Sequence, residues 1–453
     1  MTRCTPLLLC ATLGCGAITT DIGIEVIVPE DSDDLEAADN ATVVLAPDGA
    51  QRTVTADGLD FALELELDPD DTVRDLELYL AHGETLLAWG RTPSFTYSGV
   101  GDGLAVFLGR PGALATFPTL LDLPDDRLLA TASPGTGAVL LSTDGATSFL
   151  DGFTLEMREA DPLIDAPLAD DGVLVGDALG GALRVSFSAL KASRYDPSDD
   201  EWIDLEIHGA DPTDVRTGAA WLVDGDAAVL SLFGGGTNTN VIAIDLVPRE
   251  DGSGIAVGVV EGLALDRTRT GARATWVTRE DDDDAEDELV FGTGDDDDIA
   301  AGWLVERNVG VGPIGRWTQG GCVQIDPGAG NSDVRVVCGG GVKSGTPTAD
   351  GVMVRVPKTG VPSAMELPGL LDRAMPEPLW LVDDVAVYAQ GEGVLLPIDP
   401  ATMQAQPAIA ALRAGGGQLV PLEGGATLLV GGRDLASVPT TRIQVFTPSV
   451  PPT

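Results

Sequence analysis

A sevenfold recurrence of short apolar runs constrains the fold of this chain more than any other feature. After Arg127, such a run returns about every 45 residues and closes on Gly or a small polar residue. The seven runs are Ala138–Leu141, Ala182–Val185, Ala228–Phe233, Leu289–Phe291, Val334–Cys338, Val385–Tyr388 and Thr427–Val430. A period of roughly 20 to 50 residues indicates a repeat architecture, and a unit near 45 residues with several short strands is typical of a β-propeller blade.

A second series of apolar segments keeps step with the first, and the two together predict seven blades. These segments are Phe153–Met157, Ser193–Pro197, Val241–Leu246, Gly302–Glu306, Gly351–Val356, Gly393–Pro397 and Arg442–Phe446. We interpret the first series as inner strands buried between neighbouring blades. Because an open ring exposes sheet edges, Leu104–Phe107 or Ala113–Phe117 is expected to add a strand to the last blade. Six and eight blades remain alternatives.

A third marker is an Arg near the start of most blades. These residues are Arg127, Arg216, Arg269, Arg316, Arg373 and Arg413. The order of three features resembles the kelch repeat and the central propeller of galactose oxidase. The features are an Arg, then a strand ending in Gly-Gly, then a strand ending in Asp-Pro with a downstream Trp. Tyr195-Asp196-Pro197 with Trp202, and Leu428–Gly432, are among the nearest matches.

This resemblance covers residues 103–450 and implies a kelch-like β-propeller there, although several blades lack the double Gly or the Trp. WD40-like and integrin-type propellers are the alternatives. The copper site of the galactose-oxidase relatives uses two His and two Tyr ligands. The chain has two His, His82 and His208, one in each of its two regions, which excludes that site from the propeller.

Residues 21–99 predict a separate domain. Short alternating apolar and polar runs are divided by turn signals such as Pro47-Asp48-Gly49. In Phe61–Leu67, for example, Leu63, Leu65 and Leu67 share one face. Six or seven strands in about 75 residues predict a small Ig-like β-sandwich, so the whole chain is expected to be all-β.

Residues 1–15 have the pattern of a secretory signal peptide, with Arg3 before a short apolar core. Thr12-Leu13-Gly14-Cys15 resembles the lipobox of bacterial lipoproteins, although Thr12 stands where Leu is usual. The resemblance implies cleavage before Cys15 and lipidation of its thiol, with simple secretion as the alternative. Gly16 in place of Asp favours the outer membrane by the same resemblance.

Cys322 and Cys338 are predicted to form a disulfide. Each lies eight residues from Gly330 on an alternating apolar segment, so a hairpin centred there places the two opposite one another. A disulfide is consistent with an oxidising compartment. Two buried free thiols are the alternative.

The chain is strongly acidic. Its 72 Asp and Glu against 26 Lys and Arg give a formal net charge of −46, which argues against nucleic acid as a partner. The densest runs are residues 281–288 and Asp295–Asp298. A solvated, self-repelling loop is the interpretation we favour, and Ca²⁺ is the alternative cofactor. Its candidate ligands are Asp295, Asp296, Asp297 and Asp298.

The sequence lacks a nucleophile elbow, a P-loop and a His-Glu-x-x-His motif. We therefore predict a monomeric, non-enzymatic binding or scaffold protein without a cofactor, held to a membrane by its N-terminal lipid. Its partner is an unknown protein or glycan. Two alternatives stay open: a carbohydrate-active hydrolase or lyase with channel carboxylates, and a calcium-dependent adhesion protein.

Overall fold

Short β-strands account for most of the structure, which is a computed structural model. It describes residues 20–29, 32–47, 50–55, 63–67, 71–99, 103–120, 123, 127–164, 172–177, 179–188, 190–209, 215–224, 228–247, 254–278, 287–292, 302–312, 317–325 and 333–450. Helix α1 (Asp34–Ala37) and a 3₁₀ turn (Tyr97–Gly99) are the helical elements of these ranges. Across these ranges no helix has the length and apolar character needed to cross a membrane.

Seven strands form an N-terminal β-sandwich of two sheets. They are β1 (Thr20–Ile27), β2 (Asn40–Ala46), β3 (Ala50–Thr55), β4 (Leu63–Leu67), β5 (Asp75–His82), β6 (Thr85–Arg91) and β7 (Gly103–Phe107). The sheet orders are β4-β1-β7 and β3-β2-β5-β6. Alternate residues of β2 and β5, such as Val43 and Leu78, pack against Leu104 and Val106 of β7. Because β7 pairs in parallel with β1, Leu104–Phe107 belongs to the sandwich and not to the last blade.

Seven further units are the blades of a propeller, and the first four follow one another along the chain. Blade 1 is β9 (Leu129–Ser133), β10 (Gly137–Leu141), β11 (Thr147–Asp151) and β12 (Met157–Ala160). Blade 2 is β13 (Gly172–Gly176), β14 (Ala182–Ser186), β15 (Lys191–Asp196) and β16 (Glu201–His208). Blade 3 is β17 (Ala220–Val223), β18 (Val229–Phe233), β19 (Asn240–Asp245) and β20 (Gly254–Ala264). The outer strands of blades 2 and 3, β16 and β20, pair in parallel, so these two blades form one eight-stranded sheet. Blade 4 is β21 (Arg273–Val277), β22 (Asp287–Phe291), β23 (Gly302–Leu304) and β24 (Val309–Val311).

Short additional strands accompany the last three blades. Blade 5 is β26 (Gly321–Ile325), β27 (Val334–Gly339), β30 (Gly351–Val356) and β31 (Ser363–Leu367). Blade 6 is β32 (Leu379–Val382), β33 (Val387–Gly391), β34 (Val394–Asp399), β35 (Gln404–Ala405) and β36 (Ile409–Ala410). Blade 7 is β38 (Gln418–Pro421), β39 (Thr427–Val430), β41 (Arg442–Thr447) and β8 (Ala113–Leu120). Two ribbons accompany them, formed by β25 (Trp317–Thr318), β28 (Val342–Lys343) and β29 (Thr346–Pro347), and by β37 (Arg413–Gly415) and β40 (Arg433–Asp434).

The ring of blades is closed. Each of the seven junctions between consecutive blades, including that between blade 7 and blade 1, contains its own apolar cluster. Blade 7 takes its outer strand from the segment that precedes the ring, since Ala115 of β8 pairs with Val445 of β41. Of the two segments predicted to complete the last blade, Ala113–Phe117 is therefore the one used.

The apolar runs of the first series are second strands, so their assignment as inner strands was wrong. The innermost strands are β9, β13, β17, β21, β26, β32 and β38, most of which contact one another around the ring. A second strand is paired on both edges and covered on both faces, which is why it appears as a continuous apolar run. In the second series, Phe153–Met157 mostly forms the turn after β11, where Asp151 accepts hydrogen bonds from the main-chain N–H groups of Phe153 and Thr154.

Candidate functional site

The buried arginines at the blade starts hold the blades together. Arg216 donates to the carbonyl of Gly234 at 3.2 Å, Arg269 to that of Gly292 at 2.5 Å and Arg413 to that of Gly431 at 2.7 Å. Each of these glycines follows the second strand of its own blade and has a positive φ. In blade 5, the indole N–H of Trp317 donates to the carbonyl of Gly340 in the same way.

All four donor side chains are at least 99% buried. The repeated donor therefore has a structural role: its hydrogen bond links the start of a blade to the end of the second strand of that blade.

Tyr195 and Trp202 take part in the contacts that join blade 1 to blade 2. Tyr195 Oη donates to Asp200 Oδ1 at 2.6 Å, and Arg158 Nη1 lies 2.9 Å from the same carboxylate oxygen. Trp202 Nε1 donates to Thr147 Oγ1 at 3.0 Å. Burial, together with the hydrogen bond to Asp200, raises the pKa of Tyr195 above its ordinary value. These residues are occupied by structural contacts.

The predicted disulfide is present between Cys322 and Cys338, which lie directly opposite one another in β26 and β27. The other predicted site residues, Cys15 and Asp295–Asp298, lie outside the described residues. Within the described ranges, no three His, Cys, Asp or Glu side chains are grouped as metal ligands would be. His82 lies beside Asp39 and His208 beside Glu206, in separate parts of the chain.

The sandwich is fixed against blade 7 by close backbone contacts. Trp89 of β6 donates its indole N–H to the carbonyl of Pro448 at 3.1 Å, and its main chain pairs with Gly109. A Cβ at Gly424 would lie 2.3 Å from the carbonyl oxygen of Arg91, so this turn of blade 7 reaches the sandwich only because position 424 is Gly. The two domains are thus joined by contacts between residues far apart in sequence.

An apolar cleft lies at this junction, between the sandwich and blades 7 and 1. Its cavity volume is about 50 Å³. Its apolar lining includes Trp89, Phe107, Phe117, Leu155, Leu422 and Leu428. Clefts between domains are common ligand sites.

Two charged groups at the rim of the cleft are already engaged within the protein. Glu423 Oε1 accepts a hydrogen bond from the N–H of Gly135 at 2.6 Å, and Arg91 donates to Asp75 Oδ2 at 2.5 Å. Burial acts to raise the pKa of Asp75, but hydrogen bonds from Ser94 and Arg91 lower it below its ordinary value. The cleft is therefore suited to an apolar ligand group.

A second candidate site lies where the innermost strands begin. Arg273 is the first residue of β21, and Glu377 precedes β32. Both side chains are solvent-exposed. Burial lowers the pKa of Arg273 and Glu377 opposes that shift.

Sequence reasoning found neither site. The cleft depends on pairs such as Trp89 and Pro448, which are 359 residues apart. Arg273 belongs to the Arg-Thr-Gly-Ala-Arg segment at 269–273, and only its first Arg stood out as a repeat marker. The second Arg begins an innermost strand, a position that the sequence does not distinguish.

No protein-family profile matches the chain, and no curated protein matches it. Among solved structures, the chain is similar to a chain of Kuenenia stuttgartiensis hydrazine synthase, with a TM-score of 0.48 and 11% sequence identity. The match covers 74% of this chain and 98% of that chain.

Proposed function

We propose that the protein is a non-enzymatic binding or scaffold protein with a kelch-like propeller. It is anchored through lipid on Cys15 to the outer membrane and acts as a monomer. The observation that supports binding most is the apolar cleft between the sandwich and the closed ring. Because Arg91 and Glu423 at its rim are engaged within the protein, the ligand group is apolar.

The partner proposed for the cleft is a protein that inserts an apolar side chain. Glycan recognition needs free hydrogen-bonding groups, whereas aromatic and aliphatic side chains such as Phe117 and Leu422 line this cleft. Apolar anchor residues that fill such pockets contribute a large share of the binding energy in protein complexes. The ring and sandwich present the cleft in a fixed shape, so little free energy is lost in ordering it on binding.

The cleft is tested with the uncharged apolar dye Nile red on protein produced from Ala17 onward. Wild-type protein is expected to bind the dye saturably, and Ala426→Trp is expected to weaken binding at least tenfold by filling the cleft. Ala401→Trp, at an exposed turn of blade 6, is the matched control and should leave binding unchanged. Equal dye binding by both variants, or none by wild type, would contradict the assignment.

The lipid anchor is tested by labelling cells with an alkyne fatty acid. Wild-type protein is expected to take up the label and to sediment with outer membranes, whereas Cys15→Ser should do neither. Unlabelled wild-type protein recovered free of membranes would support simple secretion and overturn the anchor.

A carbohydrate-active hydrolase is the second candidate, favoured by one observation. Glu377 is an exposed carboxylate two residues before β32, the innermost strand of blade 6. Glycoside hydrolysis uses two carboxylates about 5 to 9.5 Å apart, so Glu377 would be one of such a pair. A glycosidase and lyase screen decides between the candidates. Turnover that Glu377→Gln abolishes would establish the enzyme and reject the non-enzymatic proposal.

A further inference from the structure

We propose that the outer edge of blade 6 binds an extended segment of another protein that has an uncharged centre and basic ends. The edge consists of residues 404–412, and the turn at 434–438 lies beside it. This surface is separate from the apolar cleft, and the proposal stands whether or not the cleft binds a partner.

The edge is open to a further strand. Strands β35 and β36 are the outermost strands of blade 6, and among the described residues each pairs only with β34. Every residue at 404–410 is exposed. By contrast, the outer strands β16 and β20 of blades 2 and 3 cover part of each other's edge. An open edge presents unpaired N–H and C=O groups, with which an extended segment pairs.

The edge carries no charge, although the chain as a whole is strongly acidic. Residues 400–412 include no Asp, Glu, Lys or Arg, whereas the chain has 72 Asp and Glu. The outer strands of blades 1, 2 and 5 carry Glu159, Asp204 and Glu366, respectively. Charged side chains on an edge strand oppose pairing with other chains, so their absence leaves this edge able to pair.

Four exposed apolar side chains are grouped near Gly393, at the end of the edge formed by β36. Strand β36 places Ile409 opposite Leu395, and the N–H of Ala411 donates to the carbonyl of Gly393 at 2.8 Å. Leu435 of the turn lies over the same glycine, since a Cβ at Gly393 would be 2.9 Å from Leu435 Cδ2. The four side chains are Ile409, Leu412, Leu435 and Val438. Neighbouring exposed apolar side chains are typical of protein-binding surfaces.

The turn that presents Leu435 is held by hydrogen bonds. Asp434 Oδ1 accepts from the N–H groups of Ala436 at 2.8 Å and Val438 at 3.0 Å. The N–H of Asp434 donates to the carbonyl of Val438 at 2.9 Å. Leu435 is nevertheless 70% exposed. Because the turn is already ordered, little conformational entropy is lost when a partner covers this side chain.

Two acidic residues near the ends of β34 determine the charge of the partner. Glu392 lies two residues before β34, and Asp399 is its last residue. At ~3.3 Å per residue, the two are about 20 Å apart. A strand added outside β35 and β36 lies two strand spacings from β34, about 10 Å, which is about the Debye length at 0.1 M salt. Basic residues at both ends of the partner segment are therefore attracted to the edge.

The same charges argue against a second copy of this chain as the partner. A second copy would bring its own Glu392 and Asp399 to the edge, together with a net charge of −46. Like charges of this size oppose association. The complementary occupant is a segment of a different protein.

Anisotropy of a dye-labelled peptide mixed with the purified protein tests the proposal. The probe is the capped peptide Lys-Thr-Val-Thr-Val-Thr-Val-Lys, whose two Lys are as far apart in sequence as Glu392 and Asp399. It is expected to bind saturably in about 50 mM salt and at least fivefold more weakly in about 500 mM salt, because salt screens the attraction of its ends. The same peptide with Glu at both ends should bind at least tenfold more weakly.

Substitutions at exposed positions locate the binding surface without disturbing the core. Ile409→Lys is expected to reduce peptide affinity at least tenfold, because it places a charge on the open edge. Leu435→Ser should reduce it at least threefold by removing an apolar contact. Val361→Lys is the matched control, since Val361 is 77% exposed and lies outside blade 6, and it should change affinity less than twofold.

The proposal is overturned if the peptide does not bind saturably or if the peptide with Glu ends binds as tightly. Wild-type affinity in both Ile409→Lys and Leu435→Ser would overturn it as well. Sedimentation of the protein alone as a dimer that Ile409→Lys dissociates would show that a second copy covers the edge, which also contradicts the proposal.

Discussion

Arg413 carries a buried positive charge. Among the described residues, its guanidinium contacts uncharged hydrogen-bond acceptors and forms no ion pair. Its guanidinium donates to the carbonyls of Gly431 and Arg442, each at 2.7 Å, and to Gln444 Oε1 at 3.1 Å. Burial lowers the pKa of Arg413 to about 9, so the group stays protonated at neutral pH. The side chain thereby joins three segments of blade 7 and its ribbon.

Arg413→Met is expected to lower the free energy of unfolding by about 2 to 4 kcal/mol, because it leaves buried acceptors without donors. Urea unfolding at pH 7 measures the change. Arg433→Met alters an exposed side chain of the same ribbon and should cost less than about 0.5 kcal/mol. Equal effects of the two substitutions would show that the buried hydrogen bonds of Arg413 do not stabilise the ring.

Asp383 connects blade 6 to the segment after β41. Its Oδ1 accepts from the N–H groups of Val385 and Ala386, and its Oδ2 accepts from Tyr388 Oη and from the N–H of Ser449. Burial acts to raise the pKa of Asp383, but the hydrogen bonds from Ser449, Ala386 and Val385 lower it below its ordinary value. The ionised form is therefore favoured by folding.

Because the pKa of Asp383 is lower in the folded state, its contribution to stability is present above about pH 4 and is lost as the pH falls through the folded pKa. Asp383→Asn is expected to cost about 1 to 2 kcal/mol at pH 7, and the difference from wild type should shrink below pH 4. Unfolding followed from pH 7 to pH 3 measures this. A difference that stays constant over that range would exclude the ionised carboxylate as its source, and Asp384→Asn, at an exposed position, is the control.

At the scale of elements, β8 closes the ring as the outermost strand of blade 7. Pro118 is tolerated there because one edge of an outer strand makes no ladder hydrogen bonds. Phe117 of the same strand is 2% exposed, and its ring centroid lies 5.6 Å from that of Phe107 in the sandwich. Strand β8 therefore contributes to blade 7, to the junction between blades 7 and 1, and to the cleft.

Phe117→Ala is expected to destabilise the protein by about 3 to 5 kcal/mol, because it leaves a cavity where blades 7 and 1 meet the sandwich. Thermal unfolding should show a lower midpoint, and Nile red binding should change as well since Phe117 lines the cleft. Leu120→Ala, in the same strand but 57% exposed, is the control with an expected cost below about 0.5 kcal/mol. A similar cost for both would mean that β8 is not packed into the ring.

The sequence predicted second and third strands better than innermost and outer ones, for a physical reason. Second strands such as β10 are covered on both faces, so their apolar runs are continuous. Innermost strands such as β9 alternate between buried and partly exposed residues, so their apolar runs in the sequence are shorter. The pairing of Cys322 with Cys338 was predictable because a local hairpin sets it, whereas β8 and β41 are more than 300 residues apart and only the folded ring brings them together.

At the scale of the whole molecule, the ring and the sandwich contact each other at the junction where the apolar cleft lies. The turn of blade 7 that contacts Arg91 borders the apolar cleft, which Trp89 and Phe117 of β8 also line. The cleft therefore depends on closure of the ring, because blades 7 and 1 both line it.

Hydrogen exchange read by mass spectrometry tests that closure most directly. Amides of Ala113–Leu120 that pair with β41 are expected to exchange as slowly as those of Arg442–Thr447, because the two strands form one ladder of blade 7. Exchange of Ala113–Leu120 that is complete within seconds while Arg442–Thr447 stays protected would contradict a ring closed by this strand.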